Sequence, residues 1–341
     1  MATMTGTVVL TGANGSLALP LVEHLLLSFP QLTLVLTVRN PSADSTDVHT
    51  KHLLDIVGPH RERVHVRALD LARLSETHAF AETLAADIAA DRLPPVISII
   101  CNAFYWNLKG EVTTTPDGFE TTWQVTYLSH VALILRLLRS FGPAGGRIVL
   151  FSSDAHFPGK NGLEVYPPAL PENLDSFRLE PMSVPESHKA ENALGRGFQR
   201  YAIAKLAVTT WMYALNARLE ATTGPLHKIT ALAVNPGNLS DSRALQVNTP
   251  AKLQFIARFI LQPFRPLLQY KDRTIRTAAE AALDVAALAV GPAFAGARGY
   301  FTLRQADTSS AESRDPKKQQ QLWEKTLEWV GMTEEQVGPF E

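Results

Sequence analysis

Tyr201 and Lys205 stand four positions apart in Tyr-Ala-Ile-Ala-Lys, a spacing that puts both side chains on one face of a helix. A phenol with an ordinary pKa of about 10 moves protons poorly at neutral pH. A neighbouring ammonium favours the phenolate and brings the pKa toward the working range, where general acid-base catalysis is most efficient. The pair is therefore expected to move a proton. A second constellation lies near the start of the chain, where Thr11-Gly-Ala-Asn-Gly-Ser-Leu-Ala18 follows one apolar run and opens another. In that setting glycines let the backbone approach a pyrophosphate, and a helix N-terminus offers free N–H groups and a favourable dipole. Gly12, Asn14, Gly15, Ser16 and Leu17 are the candidate contacts. The next β-branched run ends Thr37-Val-Arg-Asn40. An acid there would bond a ribose 2′-OH, whereas Arg39 accommodates a 2′-phosphate, which points to NADP(H) over NAD(H).

The elements that must position these groups alternate along the chain. Strands are expected at 7–11, 31–38, 63–68, 95–101, 147–152, 229–235 and 299–302, and helices near 16–28, 73–91, 118–141, 198–221 and 275–290. Apolar strands alternating with amphipathic stretches predict a Rossmann-type doubly wound parallel sheet with helices on both faces, an α/β fold in one domain over residues 1–341. Two segments break the rhythm. Residues 154–197 carry six prolines and little periodicity and read as a long surface excursion. Residues 243–272 are apolar and basic, with Leu253, Phe255, Ile256, Phe259, Ile260 and Phe264 near helical spacing among Lys252, Arg258 and Arg265.

The 341 residues suffice for a large core, and a net charge of −1 supplies no field for nucleic acid. The single cysteine, Cys101, excludes an internal disulfide and a multi-cysteine metal cluster, which fits a reducing, cytoplasmic setting. No secretory signal opens the chain and no apolar run reaches the length of a transmembrane span, so neither is expected. His130 and His156 lack metal-ligand spacing and read as packed or polar residues, and no metal is expected.

Taken in order over roughly residues 6–302, the motifs resemble those of the short-chain dehydrogenase/reductase family. The resemblance is carried by the glycine turn, Asp70-Leu71, Asn102-Ala-Phe104, Pro116-Asp-Gly-Phe-Glu120, Arg147-Ile-Val-Leu-Phe-Ser-Ser153, Tyr201-Ala-Ile-Ala-Lys205 and Asn235-Pro-Gly237. Ser16 and Ala18 depart from the usual glycines of the turn. The long gap from Ser153 to Tyr201 looks more like the retinol-dehydrogenase-like and 3-ketosteroid-reductase-like members.

The resemblance implies a catalytic set of Ser153, Tyr201 and Lys205, with Ser153 rather than Ser152 bonding the substrate oxygen and Lys205 also holding the nicotinamide ribose. It assigns Asp70, Leu71, Asn102, Ala103, Pro236 and Gly237 to the cofactor, and a proton relay to the position of Thr126, where the family has asparagine. A threonine hydroxyl can hold a water but cannot copy an amide. The helix after Pro116 corresponds to the family's subunit interface, so a homodimer is one expectation. Residues 154–197 are expected to border the substrate. For residues 243–272 three readings stand: a lid over an apolar substrate, a helix packed on the core, or a helix on a membrane surface. The implied activity is reduction of a ketone or aldehyde on an apolar small molecule, sterol-like, retinoid-like or a secondary metabolite. Thr126 and the altered glycine turn leave a dehydratase, isomerase or cyclase retaining NADP(H) as the alternative. A non-catalytic cofactor-sensing protein is a third reading, against which the intact serine, tyrosine and lysine argue.

Overall fold

Residues that are apolar on both sides of a strand need cover on both faces of a sheet, and the structure supplies it. It is a computed structural model, and the residues it describes are 5–42, 44–109, 112–178 and 192–337. In chain order the first strands and helices are β1 (Gly6–Leu10), α1 (Ala18–Ser28), β2 (Leu32–Val38), α2 (Val48–Val57), β3 (Val64–Ala68), α3 (Leu74–Ala89) and β4 (Val96–Cys101). Helix α4 spans 121–137 with a π turn at Gln124–Leu128. It is followed by β5 (Gly146–Phe151), α5 (Ala193–Ala221), β6 (Ile229–Asn235) and a short strand β7 (Asn238–Leu239). Helix α6 spans 251–271, again with a π turn, at Ala257–Leu261. Then come β8 (Ile275–Arg276), α7 (Ala278–Val290), β9 (Gly299–Thr302), β10 (Gln305–Ala306), α8 (Pro316–Trp329) and α9 (Glu334–Val337).

The main sheet runs β10-β9-β6-β5-β4-β1-β2-β3, all parallel except β10, which pairs antiparallel with β9. Alternation divides its side chains between two cores. Val9, Val35, Ile99, Ile148 and Ala231 face α3, α4, α5 and α8. Val8, Leu34, Ile100, Val149 and Leu232 face α1, α2 and α7. The strand order reverses between β1 and β4, and at that switch point the carboxyl ends of the parallel strands open a crevice that receives ligands.

Each expected strand is present within one residue of its predicted bounds. Helices α2 and α8, the β7–β8 pair and β10 were not anticipated. The proline-rich segment is less loose than its composition suggests. Phe177 stacks on Trp123 with ring centroids 3.7 Å apart, and the Leu170 N–H donates to Glu312. Its stretch 179–191 lies outside the described residues.

Candidate active site

The glycine turn is built by close approach. Gly12 adopts φ +62°, and a Cβ there would meet the Cβ of Ala103 at 3.0 Å. At Gly15 it would meet the Gly12 carbonyl at 3.0 Å. Asn102 donates its amide to the carbonyls of Thr11 and Gly12, both at 3.1 Å, and the Ala103 N–H reaches the Thr11 hydroxyl at 3.1 Å. That hydroxyl bonds His130 Nε2 at 2.9 Å, and Nδ1 bonds the Thr126 carbonyl at 3.2 Å. Burial pushes His130 down to about 4, so a neutral imidazole ties β1 to the π turn of α4.

Helix α1 begins with no side-chain cap and no acid in its first turn, which leaves its positive end available to an anion. The tight glycines and this open helix end fit a dinucleotide pyrophosphate. Leu17 is buried. The side chain of Asn14 is committed elsewhere, donating to Asp47 at 2.7 Å and Thr50 at 3.0 Å at the start of α2. Arg39 is exposed just past the end of β2. Asp70 accepts the Ala72 N–H at 3.0 Å, while Leu71 is buried and its carbonyl accepts the Ser129 hydroxyl at 2.7 Å.

A residue that sequence reasoning missed stands over the turn. The Arg243 N–H donates to Ser16 Oγ at 3.0 Å, and the Arg243 guanidinium donates to the Asn14 carbonyl. It also lies close enough to Asp47 for each charge to favour the other. Arg243 is brought there by Pro236 and Gly237. Gly237 has φ +88°, and a Cβ on it would meet the Thr274 carbonyl at 2.4 Å. No spacing rule marks Arg243.

On the other side of the switch point, β5 delivers two serines that point apart. Ser152 is buried and bonds the Thr209 hydroxyl at 2.8 Å. Ser153 shares a hydrogen bond with Tyr201 and donates to Asp154 Oδ1 at 3.0 Å. Ser153 Oγ also accepts the Ala155 N–H at 3.2 Å. Asp154, missed in the sequence, thus sits two hydrogen bonds from the tyrosine, through Ser153.

The expectation that Lys205 lowers the Tyr201 pKa needs correcting. Burial pushes Tyr201 up to about 12, against the Ser153 hydrogen bond and with a further rise from the Asp154 charge. The Lys205 Nζ donates to the Phe151 carbonyl at 2.7 Å and lies 5.5 Å from the centre of the Tyr201 ring. Burial brings Lys205 itself down to about 7. The ammonium is thus directed at a backbone carbonyl instead of the phenol oxygen.

Thr126 is buried, and its hydroxyl accepts the Tyr105 N–H at 3.2 Å and donates to the Tyr105 carbonyl at 3.4 Å. Both polar capacities are used by the loop after β4, so the side chain latches that loop. His156 accepts the Ser310 N–H at Nε2, 3.1 Å, and donates from Nδ1 to the Ser153 carbonyl. Burial holds it down to about 4. Tyr201 is enclosed by Trp106, edge-on at 5.3 Å, with Phe104 and Phe198 each at 6.1 Å. Ala155, Leu163 and Leu253 complete this apolar cluster, which brings both rhythm-breaking segments to the tyrosine.

The AcuH dehydrogenase domain matches residues 243–338. Dehydrogenase acuH of Aspergillus aculeatus is 87% identical over 90 residues, covering 26% of this chain and 92% of the relative. Short-chain dehydrogenase iccH of Talaromyces variabilis is 28% identical over 356 residues, 94% of each chain. The chain belongs to the short-chain dehydrogenase/reductase family. Solved structures agree on the short-chain dehydrogenase/reductase fold. A variant of the actinorhodin polyketide ketoreductase with NADPH has a TM-score of 0.56 at 17% identity, covering 89% of this chain and 99% of that one. A short-chain dehydrogenase from Burkholderia cenocepacia in complex with NADP has a TM-score of 0.57 at 15% identity, covering 92% of this chain and 100% of that one. The relatives establish the short-chain dehydrogenase/reductase family, hence an oxidoreductase, and leave its narrower branch unassigned.

Proposed function

We propose that this oxidoreductase uses NADP(H) to reduce a ketone or aldehyde on an apolar small molecule, of the kind met in secondary metabolism. The observation that carries the reading is that Ser153, Tyr201 and Lys205 come together beside the aromatic rings of Phe104, Trp106 and Phe198. When bound, the cofactor supplies the hydride. The chain does the rest. Ser153 bonds the carbonyl oxygen as negative charge develops on it, and Tyr201 gives that oxygen its proton. Lys205, whose Nζ donates to the Phe151 carbonyl, would hold a ribose hydroxyl of the bound cofactor. Arg39 supports the 2′-phosphorylated cofactor because it is exposed at the end of β2 with no carboxylate in the acid's place. Phe104, Trp106, Phe198 and Leu253 support an apolar substrate. NADP(H) is also what the two solved structures named above hold.

The test is to follow NADPH absorbance with a panel of apolar ketones and aldehydes. Consumption by the wild type and its loss in Tyr201→Phe is the expected result. A variant that binds NADPH and turns over like the wild type removes Tyr201 from the chemistry. A wild-type protein that binds NADPH but never oxidises it favours a dehydratase, isomerase or sensor.

A further inference from the structure

Helix α6 departs from the usual economy of a water-soluble surface. Of its residues 251–271 only Ala257 is buried. Phe255, Phe259, Ile260, Phe264, Leu267 and Tyr270 are all exposed, from 46% at Ile260 to 90% at Tyr270. Apart from the adjacent Phe259 and Ile260 in the π turn, they follow one another at three- or four-residue steps, so they share one broad face, and the Phe255 and Phe259 rings touch at 4.7 Å. Contiguous apolar patches of this kind mark interaction sites.

The charges select the occupant. Lys252, Arg258, Arg265 and Lys271 accompany the patch, and no Asp or Glu occurs anywhere from Arg243 to Lys271, although the whole chain carries a net charge of only −1. Asp272 closes the helix and Arg273 follows at once. A two-fold contact with a second copy of α6 would set these cations against their own copies with no carboxylate in the helix to pair them. An anionic lipid surface takes the cations at the headgroups and the aromatic face at the headgroup–acyl boundary. No helix among the described residues is long and apolar enough to cross a membrane, so contact is interfacial. Its first and last turns are tied to the body, the last by Gln269, which donates to Glu280 at 3.2 Å. Leu253 packs beside Tyr201 and Trp106, and Thr249 just before it accepts the Trp106 indole N–H at 2.9 Å.

We propose that α6 is an interfacial helix that seats the protein on an anionic lipid surface, with Tyr201 and its aromatic neighbours beside its first turn. The docking rests on α6 alone; that an apolar substrate enters from the bilayer rests also on the function proposed above.

Co-sedimentation with vesicles of phosphatidylcholine alone, or of phosphatidylcholine with phosphatidylglycerol, tests this. The wild type should pellet with the anionic vesicles at low salt and be released by high salt. Lys252→Gln/Arg258→Gln/Arg265→Gln should lose roughly 10²-fold in affinity for anionic vesicles. Phe255→Ser/Phe259→Ser/Phe264→Ser should lose binding to the anionic vesicles. NADPH binding by both variants shows that they remain folded, since the altered side chains are exposed. A wild type that stays in the supernatant with anionic vesicles at low salt overturns the proposal, as does undiminished binding by the aromatic variant. So does a wild-type dimer that the aromatic variant makes monomeric without any vesicle binding, which would give the face to a second copy. Vesicle binding without ketone reduction would keep α6 on the lipid and reject the proposed reaction.

Discussion

At the Tyr201 oxygen, burial and the Asp154 charge both oppose ionisation, so the resting site holds the protonated phenol and makes it a weaker acid than a free tyrosine. Tyr201→Phe should keep the fold and NADPH affinity while turnover falls by roughly 10²-fold or more, the usual range for a lost general acid. Asp154→Asn removes a negative charge that raises the Tyr201 pKa. The basic limb of the kcat/KM profile should then move to lower pH by up to about one unit, and a profile that does not move dissociates Asp154 from the tyrosine. The two arginines at the cofactor turn separate by readout. Arg39→Ala should weaken NADPH by roughly 10-fold or more and NADH little, because a charged hydrogen bond to the 2′-phosphate is lost. Arg243→Ala should weaken both alike in fluorescence titrations, since it stands over the pyrophosphate turn common to the two. The exposed position of Arg39 just past β2 was legible because the strand bounds were. Arg243 was not, because its position depends on where Gly237 turns a chain that no local pattern follows.

Among the elements, the loop after β4 is latched by α4 through Thr126. Thr126→Val would leave the half-buried N–H of Tyr105 without its partner, at a cost of roughly 1 kcal/mol. The same loop clamps the glycine turn through Asn102 and Ala103, so NADPH affinity should fall with stability, and Thr126→Ser should restore both. Urea unfolding and NADPH titration of the two variants check this; an unchanged Thr126→Val leaves the loop held by Asn102 and Ala103 alone. The strands were readable because each is apolar on two faces and bounded by polar residues. Helix α8 was passed over although Asp315 and Pro316 carry a helix start, an N-cap acid followed by proline at the first turn, and Asp315 does cap Lys317. Helix α2 gave less warning, since only three of its ten residues are buried and its cap is the same Asp47 that holds Asn14. The Tyr201 pKa was misjudged for a different reason: spacing gives proximity, but the direction of the Lys205 ammonium is set by the Phe151 carbonyl across the fold.

For the molecule as a whole, two buried neutral histidines couple stability to acid. His130 and His156 have folded-state values near 4, below the ordinary 6.5, so the unfolded chain binds more protons between those limits. Their contribution is complete above pH 6.5, is lost as pH falls toward 4, and levels off below it. From about pH 7.5 to about pH 5.5 each should cost roughly 1 kcal/mol, and His156→Gln should remove about half of the combined slope in denaturant titrations. Arg243 has a consequence for the newly made chain. Its contact with Asn14 joins residues 229 positions apart. The βαβ unit that carries the glycine turn leaves the ribosome long before the arginine that covers it. At 5–20 residues per second the interval is roughly 10–45 s. During that time the turn exists without its cation, and a nascent chain stalled before residue 243 would present a nucleotide cradle that grips its ligand weakly.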